Sequence, residues 1–186
     1  MDMPERGLPV TAFRLVAATL LALVIAAPAQ AQTTVHRSNA PAGEAAPTGG
    51  SFSIRFPVDF SDVEMKVPDP NAPTLVVHML TGITGEKLRF SATEIPQQGP
   101  PKPLDSFMDE AKRRPGAVVS DIQHGQKEGV ETLSYALTEP NDGTYFRVIR
   151  TKTTGYLLVI QYPRTLFNKA AGLKDEFFNS FKITKP

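Results

Sequence analysis

The chain contains no cysteine among its 186 residues. That absence excludes a disulfide staple, a thiolate metal site, a cysteine nucleophile and a lipid-bearing cysteine behind an export signal. Packing of apolar side chains must therefore hold the fold together. Charge is nearly balanced as well: 20 Lys and Arg stand against 19 Asp and Glu, for a formal net charge of +1. Nucleic acid is not an expected partner, because its binders present a basic stripe. The balance also gives no reason for attachment to an anionic membrane surface. Histidine is scarce: His36, His78 and His124 are the complete set, and none lies in an H-x-x-H or H-E-x-x-H spacing. No metal and no other cofactor is expected. A G-x-S-x-G nucleophile elbow is missing too. Gly82-Ile83-Thr84-Gly85 lacks the lysine and the following helix of a phosphate loop and reads as a hairpin turn.

Long apolar runs are confined to the beginning. Arg6 and Arg14 precede Leu15 to Ala27 (LVAATLLALVIAA), a run of about thirteen residues that is too short to span a bilayer comfortably. Ala29-Gln30-Ala31 then supplies the small-x-small pattern of signal peptidase. Residues 1–31 read as a cleavable signal peptide, with cleavage between Ala31 and Gln32. The expected destination is the periplasm or the exterior, as a protein without a lipid anchor. An uncleaved N-terminal anchor or a buried helix is the competing reading. Removal of the leader leaves about 155 residues, enough for one domain that buries roughly 68–70% of its unfolded surface.

Residues 32–50 (QTTVHRSNAPAGEAAPTGG) hold one Val as their only large apolar side chain and no aromatic ring. Such a segment is expected to be a disordered linker, with a single folded domain over 51–186. Ser51–Pro57 alternates as a strand, with Phe52, Ile54 and Phe56 on one face. Short extended stretches follow at Val63–Val67, Thr74–Thr81 and Lys87–Ile95. Pro96–Pro103 (PQQGPPKP) is expected to run in polyproline form as a rigid connector. A helix is expected over Pro103–Arg114, where Leu104, Phe107, Met108 and Ala111 make one apolar stripe and the acidic-to-basic order suits the helix dipole. Strands at Ala117–His124, Val130–Thr138, Thr144–Lys152 and Tyr156–Tyr162 are joined by short Gly-bearing loops, as in an antiparallel meander. The last of them, YLLVIQY, is apolar on both faces and calls for cover on both. A closing helix spans Thr165–Phe181. The expected fold class is α+β, an antiparallel sheet of about six to eight strands with helices packed on it.

The opening strand ending in Phe-Pro (FSIRFP), the Pro-rich loop before a short helix, the four-strand meander and the closing FFNSFKI resemble the PsbP-like, Mog-type family over residues 51–183. The resemblance implies an α/β/α sandwich and a non-enzymatic role. In that family PsbP is an extrinsic lumenal subunit of photosystem II, and the Mog proteins bind a small GTPase. No stretch here matches their binding residues, so neither partner is carried over.

Few residues could carry chemistry. His36 falls in the linker. His78 shares a strand face with Val76 and Leu80 and reads first as a hydrogen-bonded histidine at the sheet. His124 precedes a turn and reads as exposed. Asp109 and Glu110 are neighbours on a helix and face different directions. Arg55, Arg89, Arg147 and Arg150 sit in strands among apolar neighbours, where such stems lie on the sheet with the head in water. The sharper reading joins Tyr145, Arg147 and Tyr135 in a groove for an acidic or planar partner, since Tyr and Arg are favoured at binding hot spots. Arg89, His78 and Tyr162 are further candidates for the same surface. The functional expectation is an exported non-enzymatic protein that binds a protein partner or a small ligand, for example as an accessory subunit of an envelope complex. No catalytic residue is assigned. The alternative is a hydrolase with His78 or His124 as general base, which requires that histidine within reach of a hydroxyl or carboxylate inside a pocket.

Overall fold

Apolar residues recur through 130–163, and together with the more polar stretch 118–127 the chain there folds as four antiparallel strands in sequence order. The structure is a computed structural model that describes residues 33–69 and 72–184; the expected signal peptide lies outside the described residues. The meander comprises β7 (Val118–Lys127), β8 (Val130–Thr138), β9 (Asp142–Arg150) and β10 (Thr154–Pro163). A second run of strands precedes it: β1 (Thr33–Ala40), β4 (Phe60–Asp69), β5 (Ala72–Ile83) and β6 (Arg89–Pro96). Pairing of β6 with β10 fuses the two runs into one eight-stranded sheet, ordered β1-β4-β5-β6-β10-β9-β8-β7. After β6 the chain must cross to the far edge to begin β7. The proline-rich segment 97–103 and helix α1 (Ser106–Lys112) make that crossing over one face of the sheet.

Strand alternation divides the packing into two cores. On one face Phe90, Leu158, Ile160, Tyr145 and Tyr156 are buried beneath helix α2 (Phe167–Asn179), which contributes Ala170, Phe177 and Phe178. Ala170 is fully buried, and its small side chain lets the helix backbone approach the sheet. On the other face Leu133, Tyr135, Leu137, Phe146, Val148 and Leu157 pack against Met108 and Ala111 of α1. Each large apolar side chain so buried contributes about 1.5–3 kcal/mol. Tyr156 and Leu158 belong to one core and Leu157 to the other, so β10 is covered on both faces, as its sequence calls for.

The N-terminal part differs from expectation in three respects. First, the described part of the expected linker, 33–50, is not a bare tether: β1 pairs with β4, and β2 (Gly43–Ala45) pairs with β3 (Phe52–Phe56). Ala45 and Pro47 are buried. Backbone pairing and small side chains do here what large apolar groups do elsewhere, so hydrophobic content was a poor guide. Secondly, β3 is not in the main sheet. It forms a small sheet with β2 and with β11 (Lys182–Ile183), laid under α2 on the first core. Thirdly, β4 is far longer than Val63–Val67, because Asp62 and Glu64 face inward and break the apolar pattern. Helix α1 is shorter than expected, since residues 103–105 lead into it as turns.

Candidate functional site

Arg147 projects from β9 toward the α2 face, opposite Ser134 of β8. Its Nε donates to Ser134 Oγ at 3.0 Å and its Nη1 to Asn179 Oδ1 at 3.0 Å. The guanidinium carbon stands 4.9 Å from the centre of the Phe178 ring, within cation–π range. Two elements thus position it: β8 supplies the hydroxyl, and the C-terminal turn of α2, anchored by Phe177 and Phe178, supplies the amide and the ring. Partial burial pulls the guanidinium pKa down, and Asp175 at longer range pushes it back up. Arg147 makes no ion pair among the described residues. It borders an open groove of about 420 Å³ whose walls also include Gln123, His124, Thr132 and Phe181. A fixed cation with polar neighbours and no carboxylate partner can receive an anionic group.

Of the other residues singled out in the sequence, His124 lines this groove and none of the remaining binding candidates does. Tyr145 is on the Arg147 face but lies buried against Tyr162, ring centres 5.1 Å apart, with the Lys174 ammonium 5.3 Å from its ring centre. Tyr162 is buried with it; burial first, and then the hydrogen bond with Tyr145, push its phenol pKa upward. Tyr135 points to the opposite face and stacks on Phe146 at 4.7 Å, its pKa raised by burial and lowered somewhat by Arg114. The expected Tyr145–Arg147–Tyr135 groove therefore does not form, because strand alternation sends Tyr135 to the α1 core. Arg89, opposite Gln161, lies on that other face too. His78 is on β5, three strands from Arg147. Asn179, Ser134 and Gln123 carry no mark of a binding role in the sequence. Nothing local marks them, since Asn179 meets Arg147 only through the docking of α2.

His78 belongs to a different arrangement. Four strands align Glu64, His78, Glu94 and Tyr156 in one cross-strand row. Glu64 and Glu94 are buried, and the segment 47–51 lies across the row. Thr48 donates its amide and hydroxyl to Asp62 Oδ2, and Ser51 donates its amide to Glu94 Oε2 at 2.7 Å. The Ser51 hydroxyl is 2.7 Å from the Tyr156 hydroxyl. Burial raises the Tyr156 pKa, the Ser51 bond opposes it, and the Glu94 charge adds to it. Gly49 sits at φ +82°, and a Cβ there would stand 3.3 Å from His78 Cε1. His78 Nδ1 is buried with no hydrogen-bond partner among the described residues. His124 is exposed, with Nε2 3.5 Å from Asp105 Oδ1. Neither histidine makes a hydrogen bond to a hydroxyl among the described residues; of the partners a general base requires, His124 has the Asp105 carboxylate, on an exposed surface. No group of His, Asp and Glu among the described residues could hold a metal ion.

The other face carries a partly enclosed cavity of about 310 Å³ between the segment 97–103 and the sheet. Its walls are mostly apolar and come from β5, β6, β9, β10 and the approach to α1. Among the described residues, no helix is long and apolar enough to cross a membrane. No protein-family model matches the chain, and the search of curated proteins returns no match.

Proposed function

We propose that this chain is an exported, non-enzymatic binding protein that engages an acidic partner protein through the Arg147 groove, as an accessory component of an envelope assembly. The observation that carries the reading is Arg147 itself. Its guanidinium is half-buried and held by Ser134, Asn179 and Phe178, but no carboxylate neutralises it within ion-pair distance among the described residues. Holding a cation ready in a groove lowers the cost of ordering it on association. The leader at residues 1–31 supports export to the periplasm or beyond, and the resemblance to the PsbP-like, Mog-type family supports the sandwich architecture and the lack of turnover. Binding to an array of peptides rich in Asp and Glu tests the proposal. Wild type is expected to bind with an affinity that falls as salt rises, and Arg147→Gln to lose about tenfold, in keeping with one charge-assisted contact. Arg164→Gln, at an exposed position away from the groove, is expected to bind as wild type. Equal losses for the two variants would reduce the effect to general charge and overturn the assignment.

A further inference from the structure

The proline-rich segment 97–103 is tied down at both ends. The Gln97 amide donates to the Thr153 carbonyl at 2.8 Å, and Arg150 Nη1 donates to the Lys102 carbonyl. Arg150 is itself fixed by Glu131, to which its Nε donates at 2.7 Å. Between these ties the chain arches as a strap over the sheet, with Gly99 at φ +77°, a conformation that favours glycine. Pro100, Pro101 and Pro103 stiffen it, so it can span a void without collapsing into it. Beneath it Leu75, Ile95, Leu104, Phe107, Val148 and Leu157 enclose the cavity of about 310 Å³. That volume lies at the small end of ligand sites, which run from about 300 to 1,000 Å³.

We propose that this cavity binds a small anionic amphiphile, a medium-chain carboxylate, with its hydrocarbon tail under the strap and its carboxylate at Lys102. The walls favour a tail that brings no polar group, because an unmatched donor or acceptor there loses its hydration without recompense. The mouth selects the head. Arg150 is neutralised by Glu131, whereas Lys102, on the strap and exposed, makes no ion pair among the described residues. The nearby Asp105 carboxylate faces His124, beyond Pro103. A negative head is therefore matched and a positive one opposed. The site lies on the opposite face of the sheet from Arg147 and stands independently of the groove.

Calorimetric titration of the chain, as recovered from the cells that produce it, with decanoate, decanol and decylamine tests this. Decanoate is expected to bind saturably at one site, decanol several-fold more weakly and decylamine weakest. Shortening the carboxylate should cost about fourfold per methylene, and lengthening it beyond the cavity should add nothing. Lys102→Gln, at an exposed position, should bring decanoate down to the level of decanol. Leu104→Gln should weaken all three ligands. The order decanoate below decylamine, an affinity that climbs without limit with chain length, or indifference to both substitutions overturns the proposal. So does the absence of saturable binding to the unmodified chain, a result that does not depend on whether a variant folds.

Discussion

Thr48 donates both its amide and its hydroxyl to one oxygen of Asp62, at 2.9 and 2.6 Å. Asp62 is 4% exposed, so these bonds solvate a carboxylate that has left water behind. The partner lies before Ser51, in the stretch whose composition reads as linker. Replacement of Thr48 by Ala should therefore cost about 1–3 kcal/mol, the range for a hydrogen bond to a buried charged group. A chain beginning at Ser51 should lose more, because the β2–β3 pairing and the burial of Ala45 go with it. Urea denaturation of the two forms checks this. Equal midpoints for chains starting at Thr33 and at Ser51 would return the segment to the status of a tether.

This contact also marks where the sequence was legible. Apolar rows with Gly-bearing turns mark β8, β9 and β10, because each of those strands buries side chains in a core, whereas β7 is exposed along nearly its whole length and is marked chiefly by the short Gly-bearing turn that joins it to β8. The doubly apolar YLLVIQY placed β10 inside the sheet for the same reason. Residues 33–50 and the buried carboxylates Asp62, Glu64 and Glu94 are illegible by the same rule. They are stabilised by hydrogen bonds between segments far apart in the chain, and no local pattern encodes a partner 14 or 43 residues away. Arg147 was found because a cation among apolar strand residues is conspicuous. Its companions Ser134 and Asn179 were not, because ordinary polar residues acquire a role only when α2 docks. Tyr135 lies off the Arg147 surface because the register pairs it with Phe146 and pairs Arg147 with Ser134, which puts residues 135 and 147 on opposite faces.

Gly143 offers a sharper local test. A Cβ at this position would stand 2.4 Å from the Tyr162 ring. That ring is buried and pinned by Tyr145, so it cannot swing away. Gly143→Ala is expected to destabilise the domain by about 1–3 kcal/mol, as overpacking does in a filled core. Gly85→Ala, where nothing lies within 4 Å of the added carbon, should change stability little. Thermal melts of the pair provide the comparison, and parity between them would mean that Tyr162 has room to move.

Three of the four buried phenols should govern alkaline stability. Burial raises the pKa of Tyr135, Tyr156 and Tyr162 above the unfolded value of about 10. For a group whose folded pKa is raised, the stabilising contribution is fully present below the unfolded pKa and is lost as pH rises above it. Stability should thus hold up to about pH 10 and fall beyond it. The chain has no tryptophan, so phenolate absorbance is free of indole overlap. Ionisation of these three phenols should coincide with the loss of β-sheet circular dichroism. Full ionisation with the sheet intact would show that the rings are reached by solvent in the native state.

The ion pair of Arg150 with Glu131 predicts local rather than global looseness when it is removed. Arg150 joins β9 to β8 through Glu131 and to the strap through the Lys102 carbonyl. Its side chain is 17% exposed, shielded enough for these bonds to count. Arg150→Met retains the apolar stem on the sheet but withdraws every donor. The C-terminal tie of the strap is then lost, while the Gln97–Thr153 bond at its other end remains. Backbone amide order parameters should fall at Gly99 and Lys102, beyond the Gln97 tie, and stay high at Gln97 and along the centre of β9. Glu131→Gln should produce a smaller change in the same amides, because the bond to the Lys102 carbonyl survives. A uniform fall across both cores would instead make Arg150 a general support of the sheet, and unchanged order parameters would mean that the prolines alone hold the strap in place.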